Sequence, residues 1–113
     1  MEMTGTTETI ETAAVETEAL LKAVASERRI RILEWLKDPV AHFPVQVHGD
    51  PLVDGACNQF IADKLGVSQP AASRHLKVLT DAGLIIPTPR KGWTYYRRDE
   101  AAIETLKQNL QEL

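Results

Sequence analysis

The stretch from Phe60 to Gly83, FIADKLGVSQPAASRHLKVLTDAG, constrains the fold more than any other part of the chain. Ile61, Ala62 and Leu65 fall on one face of a first helix. Gly66 follows where the backbone must enter the left-handed region, which glycine reaches without a Cβ penalty. Val67 plugs the corner. Ser68 suits the cap of a second helix, because its hydroxyl can accept an orphan backbone N–H. Pro70 sits in the first turn, where no intrahelical partner is lost. Ala72, Leu76 and Leu79 recur at i, i+4 and i+7 and mark one stripe as core. Gln69, Ser73, Arg74 and Lys77 are left for the outer face, and Gly83 closes the helix. Two helices joined by a tight turn make a helix-turn-helix pattern. The N-terminal end of the second helix carries hydrogen-bonding side chains, and that end is the part that enters a DNA major groove.

Net charge bears on this reading. The 113 residues sum to −3, which at first argues against nucleic acid. The distribution reverses the argument. Residues 1–27 hold one Lys and six Glu, and residues 28–67 balance five basic against five acidic side chains. Residues 68–98 hold Arg74, Lys77, Arg90, Lys91, Arg97 and Arg98 against Asp81 alone, and residues 99–113 hold Lys107 against four acids. The positive charge is confined to the second helix of the pattern and the segment that succeeds it, up to Arg98. A local basic face matters more for phosphate contacts than the total does.

Along the chain, residues from about Thr9 to Ala25 keep a helical apolar period. Ser26 can cap a second helix, ERRIRILEWLKD, with Ile30, Leu33, Trp35 and Leu36 as its core face, and Asp38-Pro39 ends it. Residues 39–56 hold three prolines and two glycines, a composition that reads as an inserted loop. Phe43, Val45, Val47 and Leu52 are the side chains able to tack it to the body. The loop also carries His42, His48, Asp50 and Asp54, with Cys57 just beyond; these N, O and S donors suit zinc or nickel, but their spacing matches no standard motif. After the helix-turn-helix, Leu84 to Thr88 and Trp93 to Arg97 read as two strands around a turn at Arg90-Lys91-Gly92. Pro87 and Pro89 cannot donate to a ladder and belong at an edge. Trp93 and Tyr95 share one face, Thr94 and Tyr96 the other, and the alternation does not say which face is core.

Asp99 caps a last helix in which Ile103, Leu106, Leu110 and Leu113 recur at helical spacing. No later element exists to cover that stripe. Packing it against a second copy, together with Ile10, Val15 and Leu20 of the first helix, predicts a two-fold homodimer, with 1–25 and 99–113 as the dimerisation helices. Packing back on its own subunit is the alternative. The whole chain, 1–113, reads as a single domain of mainly α class: about five helices plus a two-stranded β-hairpin, a winged helix-turn-helix. One cysteine excludes an internal disulfide and suits a reducing cytoplasm. No apolar run approaches the ~20 residues of a membrane span, and the acidic, threonine-rich N-terminus lacks a secretory pattern.

With these residues in hand, the chain resembles the ArsR/SmtB family of winged-helix transcriptional repressors from about Val24 to Leu113. VASERRIRILEWL looks like the family's second-helix signature, VSQPAASRHLKVLTDAGLI is close to its recognition-helix signature, and KGWTYYRRD looks like its wing. The resemblance implies a dimeric repressor that binds a palindromic operator and leaves it when an inducer binds. It places DNA reading at Ser68, Gln69, Ser73, Arg74 and His75. Arg74 and Gln69 suit paired hydrogen bonds to base edges, and Lys77, Arg90 and Lys91 suit phosphates. His75 sits beside the core position Leu76 and suits packing as well as contact. The family's soft-metal sensors carry Cys-x-Cys before the recognition helix. Here that place reads Cys57-Asn58-Gln59, so the second sulfur is missing, and the last helix lacks the histidine of the family's zinc-type interface site. DNA binding itself calls for no cofactor, and the inducer class (metal, redox or organic) stays open. The alternative function is a winged-helix module that binds protein rather than an operator. An enzyme using Cys57 with His42 or His48 as base finds no support, since neither a glycine-rich phosphate loop nor a nucleophile elbow is present.

Overall fold

The computed structural model describes residues 16–44, 49–51 and 53–113. Residues 16–24 are the described part of helix α1. α2 (Glu27–Lys37), the single turn α3 (Pro39–His42), strand β1 (Ala56–Cys57), α4 (Asn58–Leu65), α5 (Gln69–Asp81), strands β2 (Ile85–Arg90) and β3 (Trp93–Arg98), and α6 (Glu100–Gln111) come after it. Ile10 and Val15 of the expected first-helix stripe lie outside the described residues, as do Val45, Val47, His48 and Leu52.

The helix-turn-helix forms as its sequence dictates. Gly66 takes φ 71° at the end of α4. The N–H of Gly66 donates to the Asp63 carbonyl at 3.1 Å and that of Val67 to the Ala62 carbonyl at 3.2 Å, which satisfies two orphan acceptors. The same arrangement ends α5, where Gly83 donates to Thr80 at 2.9 Å and Leu84 to Leu79 at 3.0 Å. Ser68 is the N-cap of α5, its Oγ accepting from the Ala71 N–H at 3.2 Å. Ala72, Leu76 and Leu79 are fully buried, the two leucines in one cluster with Ile32, Ile61 and Leu84. Burying each such Leu or Ile stabilises the fold by about 1.5–3 kcal/mol.

Three expectations need correction. In α2 the buried side chains are Ile32, Leu33 and Leu36, while Ile30 is 44% exposed. The apolar face runs through 32, 33 and 36, and Ile30 lies about 110° round the helix from its centre. The stretch 39–56 is not all loop. Asp38 ends α2 and at once caps α3, its Oδ1 accepting from the Ala41 N–H at 3.3 Å. Pro39 occupies the first turn of α3, where a missing N–H costs nothing. This turn is the sixth helix, and it delivers Phe43 edge-on to Trp35, ring centroids 6.3 Å apart. The third correction is the sheet: β1 adds a third strand, giving the antiparallel order β1-β3-β2.

The wing strands run one to two residues further than their pattern suggests, and Arg90 pairs with Trp93 across a two-residue turn. Lys91 (φ 51°) and Gly92 (φ 82°) both have positive φ, the geometry of a type I′ hairpin. Counting back from that closing pair, Pro87 and Pro89 fall at the positions whose N–H would point away from β3. β2 is the edge strand, so the prolines blunt an open edge at no cost in hydrogen bonds. Both faces of the hairpin are covered. Ile85 and Tyr96 pack on the helical core. Tyr95, on the other face, is buried beside Gly49.

The stripe of α6 is divided. Ile103 and Leu106 are buried in this chain's own core with Leu20, Val24 and Ala23 around the same cluster. For these two residues the structure shows the alternative, packing back on the chain's own core. Leu110 and Leu113 remain exposed. Asn109 donates to Thr17 Oγ1 at 3.2 Å and ties α6 to α1. Asp99 caps α6 as its sequence predicts, accepting from the Ala102 N–H at 3.1 Å.

Candidate nucleic-acid interface

α5 presents two opposed surfaces. Its core stripe fixes the rotation of the helix, and Ser73, Arg74 and Lys77 are then exposed on the far side, with Gln69 half-buried at its N-terminal end. These four fall within an arc of about 140° at 100° per residue. Ser68 spends its oxygen on the cap but keeps an O–H to donate. Lys77 pairs with Asp81 at 3.1 Å, both side chains largely in solvent. Such a pair holds its partners weakly, at about 0–1 kcal/mol, and Lys77 can exchange it for a phosphate.

His75 is turned away from this face. Its Nδ1 lies 3.2 Å from Arg29 Nη1 on α2. Arginine can only donate, so Nδ1 accepts and the ring is neutral with its proton on Nε2. Burial, then the charges of Arg29, Arg28 and Arg74, hold its pKa below the ordinary imidazole value. Arg29 in turn donates from Nε to the Ala23 carbonyl at 2.6 Å and from Nη2 to that of Lys22 at 3.3 Å. One guanidinium thus ties the C-terminal end of α1 to the recognition helix. The His75 ring is half-buried, and its contact with Arg29 is a packing contact within the fold. Nothing in the local sequence marks Arg29 for this role, because its partners come from two other helices.

The basic cluster of 68–98 is less uniform than its count suggests. The Arg98 side chain is 9% exposed, donates to the Leu33 carbonyl at 3.3 Å and pairs with Glu100 at 2.8 Å, so its charge is used inside the fold. Arg74, Lys91 and Arg97 are exposed. Arg90 is held by Asp54, Nη2 to Oδ1 at 3.2 Å. Asp54 is buried, its other oxygen accepts from the Asp50 N–H at 3.1 Å, and that hydrogen bond, followed by Arg90 and Arg97, keeps its carboxyl below the usual carboxylate range despite burial.

His48 lies outside the described residues, and the described loop donors stand apart from one another in their roles. Asp54 is committed to Arg90, His42 is exposed at the end of α3, and Cys57 is buried at the N-cap of α4. Among the described residues no three His, Cys, Asp or Glu side chains come together as ligands. Cys57 is followed by Asn58 and Gln59, so one thiolate is all that this place offers a soft metal. The residues present do not fit a metal of the family's cysteine type.

Comparison with known proteins agrees with this geometry. The profile of the arsR family of bacterial regulatory proteins matches residues 56–86, from β1 to the start of β2. An uncharacterized HTH-type transcriptional regulator of Bacillus subtilis, YbzH, is 42% identical over 87 residues, covering 77% of this chain and 87% of YbzH. Among solved structures, NolR from Sinorhizobium fredii superposes with a TM-score of 0.61 at 24% identity, covering 89% of this chain and 86% of NolR. Reduced HlyU from Vibrio cholerae gives 0.61 at 23% identity and covers 92% of each chain. The homodimeric winged helix-turn-helix DNA-binding domain Mb0332 from Mycobacterium bovis gives 0.59 at 22%, covering 94% of this chain and 84% of that one. These structures share the fold, and the Bacillus relative adds sequence identity across the domain. The chain belongs to the arsR family of bacterial regulatory proteins, and it is a DNA-binding winged helix-turn-helix transcriptional regulator rather than an enzyme.

Proposed function

We propose that this chain is a dimeric repressor that binds a palindromic operator and is released from it by an inducer. The observation that carries the reading is the outer face of α5, where Ser73, Arg74 and Lys77 are exposed away from a fully buried stripe, with half-buried Gln69 at the N-terminal end of the helix. Arg74 and Gln69 read base edges, as guanidinium and amide groups do through paired hydrogen bonds. Lys77, Arg90 and Lys91 hold phosphates and set the register. The Mycobacterium domain that shares this fold is homodimeric, and the exposed Leu110 and Leu113 extend a stripe that a second copy would cover. A two-fold dimer presents two recognition helices and so prefers a palindrome with half-sites about one helical turn apart.

The test is fluorescence anisotropy on a duplex taken from upstream of the protein's own gene, read across a salt series. A steep fall of affinity with salt marks phosphate contacts. Arg74→Ala should cost about 1–3 kcal/mol on the matched duplex and leave binding to unrelated duplexes little changed. Equal, weak binding to every duplex, with Arg74→Ala without effect, would favour a protein-binding winged helix.

A further inference from the structure

Residues 49–51 and 53–55 lie as a strap along one face of the wing, and two glycines let it lie close. A Cβ on Gly49 would overlap the ring of Tyr95, and one on Gly55, which has φ +88°, would overlap the Tyr96 carbonyl. Immediately afterwards Ala56 and Cys57 pair with Tyr96 and Tyr95 of β3. Asp54 is therefore anchored one residue from a backbone clamp and has little freedom relative to the hairpin. Its carboxylate is fixed from two sides, by the Asp50 N–H at 3.1 Å and by Arg90 at 3.2 Å. The pair is asymmetric: the Asp54 side chain is 9% exposed and that of Arg90 48%. A guanidinium carries five N–H donors in a planar fork, and Asp54 is met by Nη2 alone.

We infer that Asp54 is a positioning residue for DNA binding, holding Arg90 by one amino group so that its remaining donors meet a backbone phosphate. The inference rests on the wing–phosphate contact proposed above. A free arginine side chain must be ordered when it binds, and that cost falls on the complex. Here the ordering is done by the fold. Asp54 also repels a phosphate, and the two effects oppose each other. A phosphate on the remaining donors of Arg90 meets Asp54 across that guanidinium, whose positive charge attracts both anions and offsets their repulsion. Positioning is therefore the net effect of Asp54 on the contact.

The experiment uses the full chain and a labelled random-sequence DNA duplex, with anisotropy at physiological ionic strength. Arg90→Ala, Asp54→Asn and the double variant are compared with the parent, with thermal melts as a check on folding. Each single substitution is expected to weaken binding by roughly two- to tenfold, and the double variant to be no weaker than Arg90→Ala alone. That last result separates positioning from a general loosening of the wing, which would also disturb Lys91 and make the double variant weaker. Unchanged or tighter binding by Asp54→Asn, with Arg90→Ala still weaker, overturns the inference and leaves the wing–phosphate contact standing. Full affinity in Arg90→Ala removes that contact and the inference with it. Asp54→Glu serves where the Asn variant fails to fold: it keeps the charge but moves it by a methylene, and its weakening must likewise vanish in the Arg90→Ala background.

Discussion

The recognition helix and the wing carry charge of the same sign and hold it in opposite ways. On α5 the cations are set by local sequence alone: the stripe of Ala72, Leu76 and Leu79 is buried, so Arg74 and Lys77 face outward. On the wing the cation is set by a residue 36 positions away, Asp54, on a strap with no helical or strand period. A helix face needs only its own periodicity to be aimed. A two-stranded hairpin is marginal by itself, and its aim must come from what covers it. Here β1 closes the β3 edge, the strap lies on one face and the helical core on the other.

This contrast can be broken most sharply at two glycines of positive φ. Gly55 has φ +88° and Gly66 φ +71°. A Cβ at Gly55 would run into the Tyr96 carbonyl, whereas nothing lies within 4 Å of one at Gly66. Gly66→Ala should cost only the left-handed backbone penalty, about 1–2 kcal/mol. Gly55→Ala adds a collision with backbone that cannot rotate away and should cost about 3–5 kcal/mol. Chemical denaturation of the two variants measures the difference. Equal costs would mean that the strap lies loosely on the wing and does not fix it.

The same contrast explains what could be read from sequence. The helix-turn-helix was legible because each of its signals is local: an apolar period, a capping serine, a proline in the first turn and two glycines past helix ends. Asp99 and Ser26 were legible as caps for the same reason. The strand Ala56–Cys57 was not, because two residues cannot display a period of two. α3 was hidden by its own proline, which reads as a helix stop and serves here as a first-turn residue. The partners of Arg90, Arg98 and His75 are tertiary, and a charge count over 68–98 treats as equivalent one arginine consumed inside the fold and others left in solvent. The stripe of α6 showed that a face must be covered without saying by what. The chain's own core takes half of it, and Leu110 and Leu113 stay outside.

Acid separates the two regions a second way. His75 in the folded chain has a pKa below the ordinary 6.5, through burial and the charge of Arg29. The unfolded chain then takes up its proton first, so this contribution is complete above pH 6.5 and is lost as pH falls from 6.5 through the depressed value. Asp54 is depressed below 3.8, by the Asp50 N–H first and then by Arg90. Its contribution is complete above pH 3.8 and is lost as pH falls through its own depressed value. Stability against denaturant should therefore fall in two windows on acidification. His75→Gln should flatten the upper one and Asp54→Asn the lower. An upper window that survives His75→Gln would detach the Arg29–His75 contact from the stability of the recognition helix.

The smallest effect is expected where the two regions differ least in exposure and most in attachment. Lys77 and Asp81 form an ion pair one helical turn apart, with side chains 76% and 62% exposed. The Asp54–Arg90 pair joins distant parts of the chain and buries its acid. Asp81→Asn removes a pair that solvent already screens, so stability should change by less than about 0.5 kcal/mol. It also releases Lys77 and removes a negative charge from the exposed face of α5 that is proposed to meet DNA. Affinity for any duplex should then rise by about twofold to fivefold, an increment of the size that one exposed ion pair can withhold. A loss of affinity on Asp81→Asn would mean that the acid positions Lys77 as Asp54 positions Arg90. The helix and the wing would then present their cations in the same way.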